Sequence, residues 1–348
     1  MKRNSTRAAL LGVALLVAVT APAAAWDYPG HRMVGAIADF VLNARYPKAY
    51  SRVKDLLATK DADGNRLLRS LSQVAVFADC AKPNNVAFCG RTPSDEEKAY
   101  AAHNPHNGGY HFTDVPIQQS RYVAGSAGTE NNDVVQMINY AVAQLRGKSP
   151  HRDGVVLSDT EALWLLAHLV GDIHQPLHVG AIYFDKETCK QPRDPNDVAG
   201  GLDQVASTAG GNSFQLIALA PAPAAPPNEN LHFYWDSNVV DDAMRAAGLA
   251  GAEQDFARLL AARAPIGWQT AGDPETWAEQ WATEILPLAR DAYGRLKLKG
   301  QVDLEHHGCA WTTQITPGYG EWASERARIQ IQKAGFRLAA LLNAIFAP

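Results

Sequence analysis

Apolar side chains recur at three- and four-residue spacing along most of the chain after Trp26, the period of α-helices with one buried face. The pattern is clearest in Met33 to Leu42, where Met33, Ile37, Phe40 and Val41 form a stripe, in Val134 to Leu145 and in Leu163 to Ile173. A final amphipathic run, Ser324 to Phe346, aligns Ala327, Ile331, Ala334, Leu338, Leu341 and Leu342, and its expected role is core packing. Helix starts are also marked: Ser158-Asp159-Thr160-Glu161 precedes Leu163, Asp273-Pro274-Glu275 precedes Trp277, and Thr92-Pro93-Ser94-Asp95 precedes a charged stretch. Strand signals are weak, and the one candidate is a short β-ribbon over Gly210 to Leu216, after a Gly-Gly turn. Thr188 to Gly211 and the Ala-Pro run Pro221 to Pro227 read as loops that interrupt a helical domain rather than divide two. No internal period marks a solenoid. The expectation is a mainly α fold, one compact helical domain with a short ribbon and long loops.

The first 25 residues break this pattern. Lys2, Arg3 and Arg7 precede an apolar run from Ala8 to Val19, and Ala23 and Ala25 stand before Trp26, the layout of a cleaved secretory signal. The apolar run is short for a bilayer span, which needs about 20 residues. Residues 1–25 are therefore expected to be removed, leaving a chain that begins at Trp26 in the periplasm or outside the cell. With 348 residues, 47% of them hydrophobic, a sizeable core can be built without help from disulfides or metal. The formal charge of −4 excludes a broadly basic nucleic-acid-binding surface, so any polyanion must meet a local positive field.

Export permits disulfides, and Cys80, Cys89, Cys189 and Cys309 are even in number. Three pairings are possible. A short Cys80 to Cys89 loop with a long-range Cys189 to Cys309 bridge is the expected one, because it closes locally what is local. A cysteine zinc site is the alternative, and the lack of any Cys-x-x-Cys pair speaks against it.

The chain has 11 His, whose arrangement matters more than their number. His168 with Asp172, and His232 with Asp236, stand four residues apart, so each pair projects from one helix face toward a common point. Asp172 lies where Pro176 ends a helix, and His178 follows in Gly171-Asp172-Ile173-His174-Gln175-Pro176-Leu177-His178. A lone His-x-x-x-Asp is more often a surface pair or a cap; the two together with the intervening turn are not so easily dismissed. His174 sits about 200° around the helix from Asp172 and should pack or orient rather than ligate. His103, His106, His151, His306 and His307 lie in polar sequence and read as surface or loop residues.

Trp26, His31, Asp79, His111, His168-x3-Asp172-x5-His178 and His232-x3-Asp236, with Asn230-Leu231-His232 around the last pair, resemble the S1/P1 nuclease family. Phospholipase C type zinc enzymes share that scaffold. The resemblance runs over nearly all of the chain after Ala25 and suggests an exported, bacterial-type member with residues 26–348 as one zinc-dependent nuclease domain. It implies three zinc ions: one on Asp79, His111, His168 and Asp172, a second on His178, His232 and Asp236, and a third on Trp26, His31 and a bridging Asp172. Against the carboxylates of Asp79, Asp172 and Asp236, three Zn²⁺ would leave about +3 of local charge, the field that the composition lacks.

The resemblance further implies that Phe112 stacks a base and that Asp79, Lys82 and Asp114 act near the scissile phosphate, with Lys82 ordering Asp114. For Phe112 the bland reading is core packing beside His111. The implied substrates are single-stranded DNA, RNA and 3′-nucleotides, cut to 5′-phosphorylated products by a monomer without a stable protein partner. The long Pro- and Gly-rich interval between His178 and His232 exceeds what fungal and plant members lead one to expect, and it leads into the site. The rival readings are a zinc-dependent phospholipase C, acting on phospholipid, and a non-catalytic zinc-binding protein, which would want closed coordination shells.

Overall fold

A computed structural model describes residues 26–60, 66–82, 89–190, 192–217, 230–303 and 309–347. Residues 1–25, expected to be a leader, the Pro221 to Pro227 run and His306-His307 lie outside the described residues.

The centre of the molecule is helix α4 (Asp159–Asp172), in which every residue from Ala162 to Asp172 is buried. A helix that is apolar nearly all round belongs in a core. Its start is fixed by a capping box, in which the Ser158 hydroxyl accepts from Glu161 N and the Glu161 carboxylate accepts from Ser158 N. Around it lie α1 (Tyr28–Arg45), α2 (Pro47–Leu57), α3 (Val134–Leu145), α5 (Trp277–Gly294) and α6 (Tyr319–Phe346). Asp27 caps α1 by accepting from Tyr28 N at 2.7 Å. α6 starts five residues before the amphipathic run at Ser324, because Gly318, at φ 78°, turns the chain into it. Gly335 of α6 packs so close to α1 that a Cβ there would stand 2.5 Å from Ile37 side-chain atoms. Among the described residues no helix is long and apolar enough to cross a membrane.

The β-structure exceeds the expected ribbon. Strand β3 (Phe214–Leu216) does follow the Gly210-Gly211 turn, but it pairs in parallel with β5 (Cys309–Ile315), which in turn pairs antiparallel with β4 (Leu296–Asp303). The Thr188 to Gly211 stretch is not all loop either: β1 (Tyr183–Asp185) pairs with β2 (Val205–Ser207). Cys80 is bridged to Cys89 and Cys189 to Cys309, the second bond tying this β1–β2 arm to the three-stranded sheet.

Candidate metal centre

Six short elements deliver the candidate ligands to the C-terminal end of α4. His168 and Asp172 lie one turn apart on α4 itself. His31 comes from the first turn of α1, Asp79 from the helical turn Phe77–Cys80, and His111 from the end of the 3-10 turn Asn107–His111. His178 ends a second 3-10 turn, Pro176–His178, so that Pro176 opens that turn after α4 has already stopped. His232 and Asp236 are not on a regular α-helix: Leu231–Phe233 runs into a π-turn at Tyr234–Asn238, a widening often found at functional positions. All eight side chains are buried.

Their ligand atoms form three groups, His31/His168/Asp172, Asp79/His111/His168 and His178/His232/Asp236, each with its atoms within 4.8 Å of one another. Asp172 joins the first two. Its Oδ1 lies 3.2 Å from His31 Nε2, and its Oδ2 lies 3.0 Å from His111 Nδ1 and 3.2 Å from His168 Nε2. Asp79 Oδ1 stands 3.6 Å from both His111 Nδ1 and His168 Nε2. In the third group Asp236 Oδ2 is 3.4 Å from His232 Nε2 and Asp236 Oδ1 is 3.9 Å from His178 Nε2.

The hydrogen bonds outside each group fix what the inward atoms are. His178 Nδ1 faces the His111 carbonyl at 2.8 Å, and His232 Nδ1 faces the Gly210 carbonyl at 2.8 Å. A carbonyl only accepts, so both rings carry their proton on Nδ1 and present a bare lone pair at Nε2. Those two Nε2 atoms are 2.9 Å apart. Two lone pairs at that separation need a cation between them, and a proton does not serve at neutral pH: burial lowers His178 to about 3 and His232 to about 4. His168 shares the outer contact, with Nδ1 on the Ala75 carbonyl at 2.6 Å and Nε2 2.9 Å from His111 Nδ1, but Asp172 and Asp79 outweigh burial and raise its pKa. His31 Nδ1 and Nε2, Asp172 Oδ1 and Asp236 Oδ2 are buried without a hydrogen bond. A set of imidazole nitrogens and carboxylates oriented from behind by backbone carbonyls suits divalent transition ions, zinc among them.

Burial alone would raise Asp172, yet His168, His111 and His31 hold it well below the usual carboxylate range. Asp236 is pushed well up by burial, and Gln175 Nε2 donates to its Oδ1 at 2.7 Å. Sequence reasoning gave Gln175 no role, although its place in the His174-Gln175-Pro176 turn was the available signal. Two glycines make room. At Gly171 a Cβ would meet His31 Nδ1 at 2.9 Å, and at Gly210, where φ is 60°, it would meet the Leu177 carbonyl at 2.4 Å.

Trp26 is fully buried beside this centre, its Nε1 donating to the Gly171 carbonyl at 2.9 Å, and Asp27 N donates to the Asp236 carbonyl at 2.9 Å. His174 points away from all three groups, donating from Nδ1 to Val170 O at 2.7 Å and accepting from Arg337 Nη1 at 2.9 Å. His103, His106 and His151 are exposed; Asn104 and Asn107 order the approach to His111, through Asn104 Nδ2 to Val156 O and Asn107 Nδ2 to Asn104 O.

Lys82 forms an ion pair with Asp79. Its Nζ lies 2.6 Å from Asp79 Oδ1, one helical turn back along the chain, while Asp114 accepts from Ser207 Oγ at 3.4 Å. Burial raises Asp114 to about 6. Asp114 and Phe112 belong to a cleft of about 310 Å³ next to His111, with Glu130, Asn132, Tyr183, Leu202 and Ser207 also on its walls. Phe112 is 41% exposed there, so it is not a core residue.

A helical scaffold thus brings three His/Asp groups that could hold metal ions beside an open cleft. The family model described as S1/P1 Nuclease matches residues 26–347, and the chain belongs to this metal-dependent family. It is similar to "Endonuclease 2" of Arabidopsis thaliana, 24% identical over 326 residues that cover 92% of this chain and 90% of the relative. It is also similar to "Endonuclease 4" of the same plant, 25% identical over 247 residues, 70% of this chain and 64% of that relative.

Proposed function

We propose that the chain is an exported zinc-dependent endonuclease that cuts single-stranded DNA and RNA to 5′-phosphorylated products and also acts on 3′-nucleotides. Asp79, His111, His168 and Asp172 would hold one ion, His178, His232 and Asp236 a second, and Trp26, His31 and Asp172 a third. Trp26 would contribute its α-amino nitrogen and carbonyl once residues 1–25 have been removed. What such ions supply when bound is Lewis acidity toward water and toward the oxygens of a phosphodiester.

The observation that carries this reading is the juxtaposition of the three ligand groups with the Phe112 cleft. Among the described residues no Lys or Arg lines that cleft, while Asp114, Glu130 and Asp133 do, so it repels a phosphate and admits a neutral ring. A base resting on Phe112 gains about 1–3 kcal/mol without regard to sequence. It also holds the adjoining phosphodiester at the ligand groups, where bound ions would supply a positive field. Asp114 Oδ2, steadied by Ser207, can accept from an N–H on the base edge. Lys82 keeps Asp79 oriented by its ion pair. A duplex keeps its bases stacked and offers Phe112 no free face.

One feature favours a second reading: an aromatic ring with carboxylates beside it also suits the quaternary ammonium of a choline headgroup. A single panel separates the readings. The zinc-loaded protein is incubated with single-stranded DNA, duplex DNA, RNA, a 3′-nucleotide and phosphatidylcholine under one set of conditions. Single strands are expected to be cut first. Turnover of phosphatidylcholine without strand cleavage replaces this reading with a phospholipase, and bound zinc with no turnover of any substrate leaves a zinc-binding protein.

A further inference from the structure

The arm between Tyr183 and Ser207 reads in sequence as an interruption, yet in the fold it is one wall of the cleft. It is held rigidly at four places. β1 and β2 pair along Tyr183↔Ser207, Phe184↔Ala206 and Asp185↔Val205. The Cys189–Cys309 bridge anchors its outer part to β5. Gln119 Nε2 donates to Asp194 and Ala127 N to Asn196 Oδ1, which joins the arm to the opposite rim. Tyr183 Oη donates to the Asp114 carbonyl at 2.7 Å, on the cleft floor. Within this frame the 3-10 turn Gly201–Gln204 carries Leu202, and Lys186 N donates to the Gln204 carbonyl at 3.1 Å to hold the turn in place.

Leu202 is 46% exposed and lines the same cleft as Phe112. An exposed leucine on a mobile loop is commonplace, but here four anchors spend their constraint on presenting it to an aromatic ring across a space of about 310 Å³. We infer that Leu202 closes on a nucleobase lying on Phe112, so that the arm sets how tightly the enzyme holds a base. The inference rests on the nuclease reading given above. The carboxylates of Asp114 and Glu130 keep phosphate out of this space, so the group between Phe112 and Leu202 is a base and not the backbone.

The test is steady-state cleavage, by the zinc-loaded full-length mature protein, of a short single strand and of an abasic strand of the same length. Leu202→Ala should raise KM for the base-bearing strand about fivefold to tenfold with kcat within about twofold, the share expected when one side of a stacking site is removed. The abasic strand should show no change, and Leu202→Met should restore the wild-type KM. Leu259→Ala removes another exposed leucine, remote from the cleft, and should change neither strand. Wild-type cleavage with unchanged Leu202→Ala kinetics, or an equal KM rise on the abasic strand, overturns the inference alone. A wild-type protein that cuts neither strand removes the nuclease reading and this inference with it.

Discussion

Replacing Gly171 by Ala tests the centre without touching a ligand. Two effects oppose each other. In a helix interior Ala is favoured over Gly by about 1 kcal/mol. Against this, the new methyl would stand 2.9 Å from His31 Nδ1 and 3.2 Å from its Cε1. The ring cannot retreat freely, because it stacks on His168 at 3.8 Å with only 16° between the planes, and its Nε2 is 3.2 Å from Asp172 Oδ1. Overpacking of this kind costs about 1–3 kcal/mol, so the chelated protein should lose no more than about 2 kcal/mol of stability. Metal affinity should fall by a comparable free energy, about tenfold to a hundredfold, since ligand distances tolerate only about 0.2 Å and a displaced His loses its ligand geometry. The expected outcome is a Gly171→Ala protein that folds, keeps two zinc equivalents tightly and binds the third weakly. Competition with a chromophoric chelator measures the affinities, and thermal melts in excess chelator measure the fold. Wild-type affinity for all three ions would refute the reasoning, as would a chelated form that no longer folds.

Asp172→Ala should lose more than one zinc equivalent and all activity, because its two oxygens face different ligand groups, whereas His174→Ala should keep all its zinc; plasma emission on both variants decides, and equal losses sink the argument. A form that keeps one extra residue before Trp26 should lose the third zinc and most of its turnover while its melting midpoint holds, since Trp26 is buried beside His31 and Asp172; full activity with that residue in place removes Trp26 from the ligand set. Asp39 is raised from 3.8 to about 6 by burial, against the pull of hydrogen bonds from Ser72 N and Leu71 N. Between those values the folded form keeps a proton that the unfolded chain has released, so its contribution to stability falls as pH rises through that window. Asp39→Asn should therefore raise the melting midpoint near neutral pH and not below about pH 4; an equal shift at both would mean that titration is not the cause.

What could be read in advance was whatever depends on neighbours along the chain. The helical stripes, the Ser158 capping box and the one-turn spacing of His168 and Asp172 are local, and a 3.6-residue period announces them. The misses are non-local. Leu296-Lys297-Leu298-Lys299 alternates as a strand should, but its partner lies across a hairpin, and β3 finds its neighbour only at Trp311. The arm from Tyr183 to Ser207 has the Pro and Gly content of a loop, and long-range ties such as the Cys309 bridge and the contacts to Gln119 and Ala127 make it a wall. The π-turn at Asp236 was equally invisible, because the i, i+4 spacing reads the same in either backbone.

The close packing of Gly335 on Ile37 bears on how the chain is made. α1 carries His31 and begins beside Trp26, but its opposing surface is α6, which lies far later in the chain. A growing chain folds from its N-terminus as sequence becomes available. Here the side of α1 that carries Ile37 stays uncovered until the 28-residue helix Tyr319–Phe346 has been made. Asp236 and His232 arrive late as well. The order of synthesis and the order of assembly thus run in opposite directions, and a partly made chain has no finished centre to load.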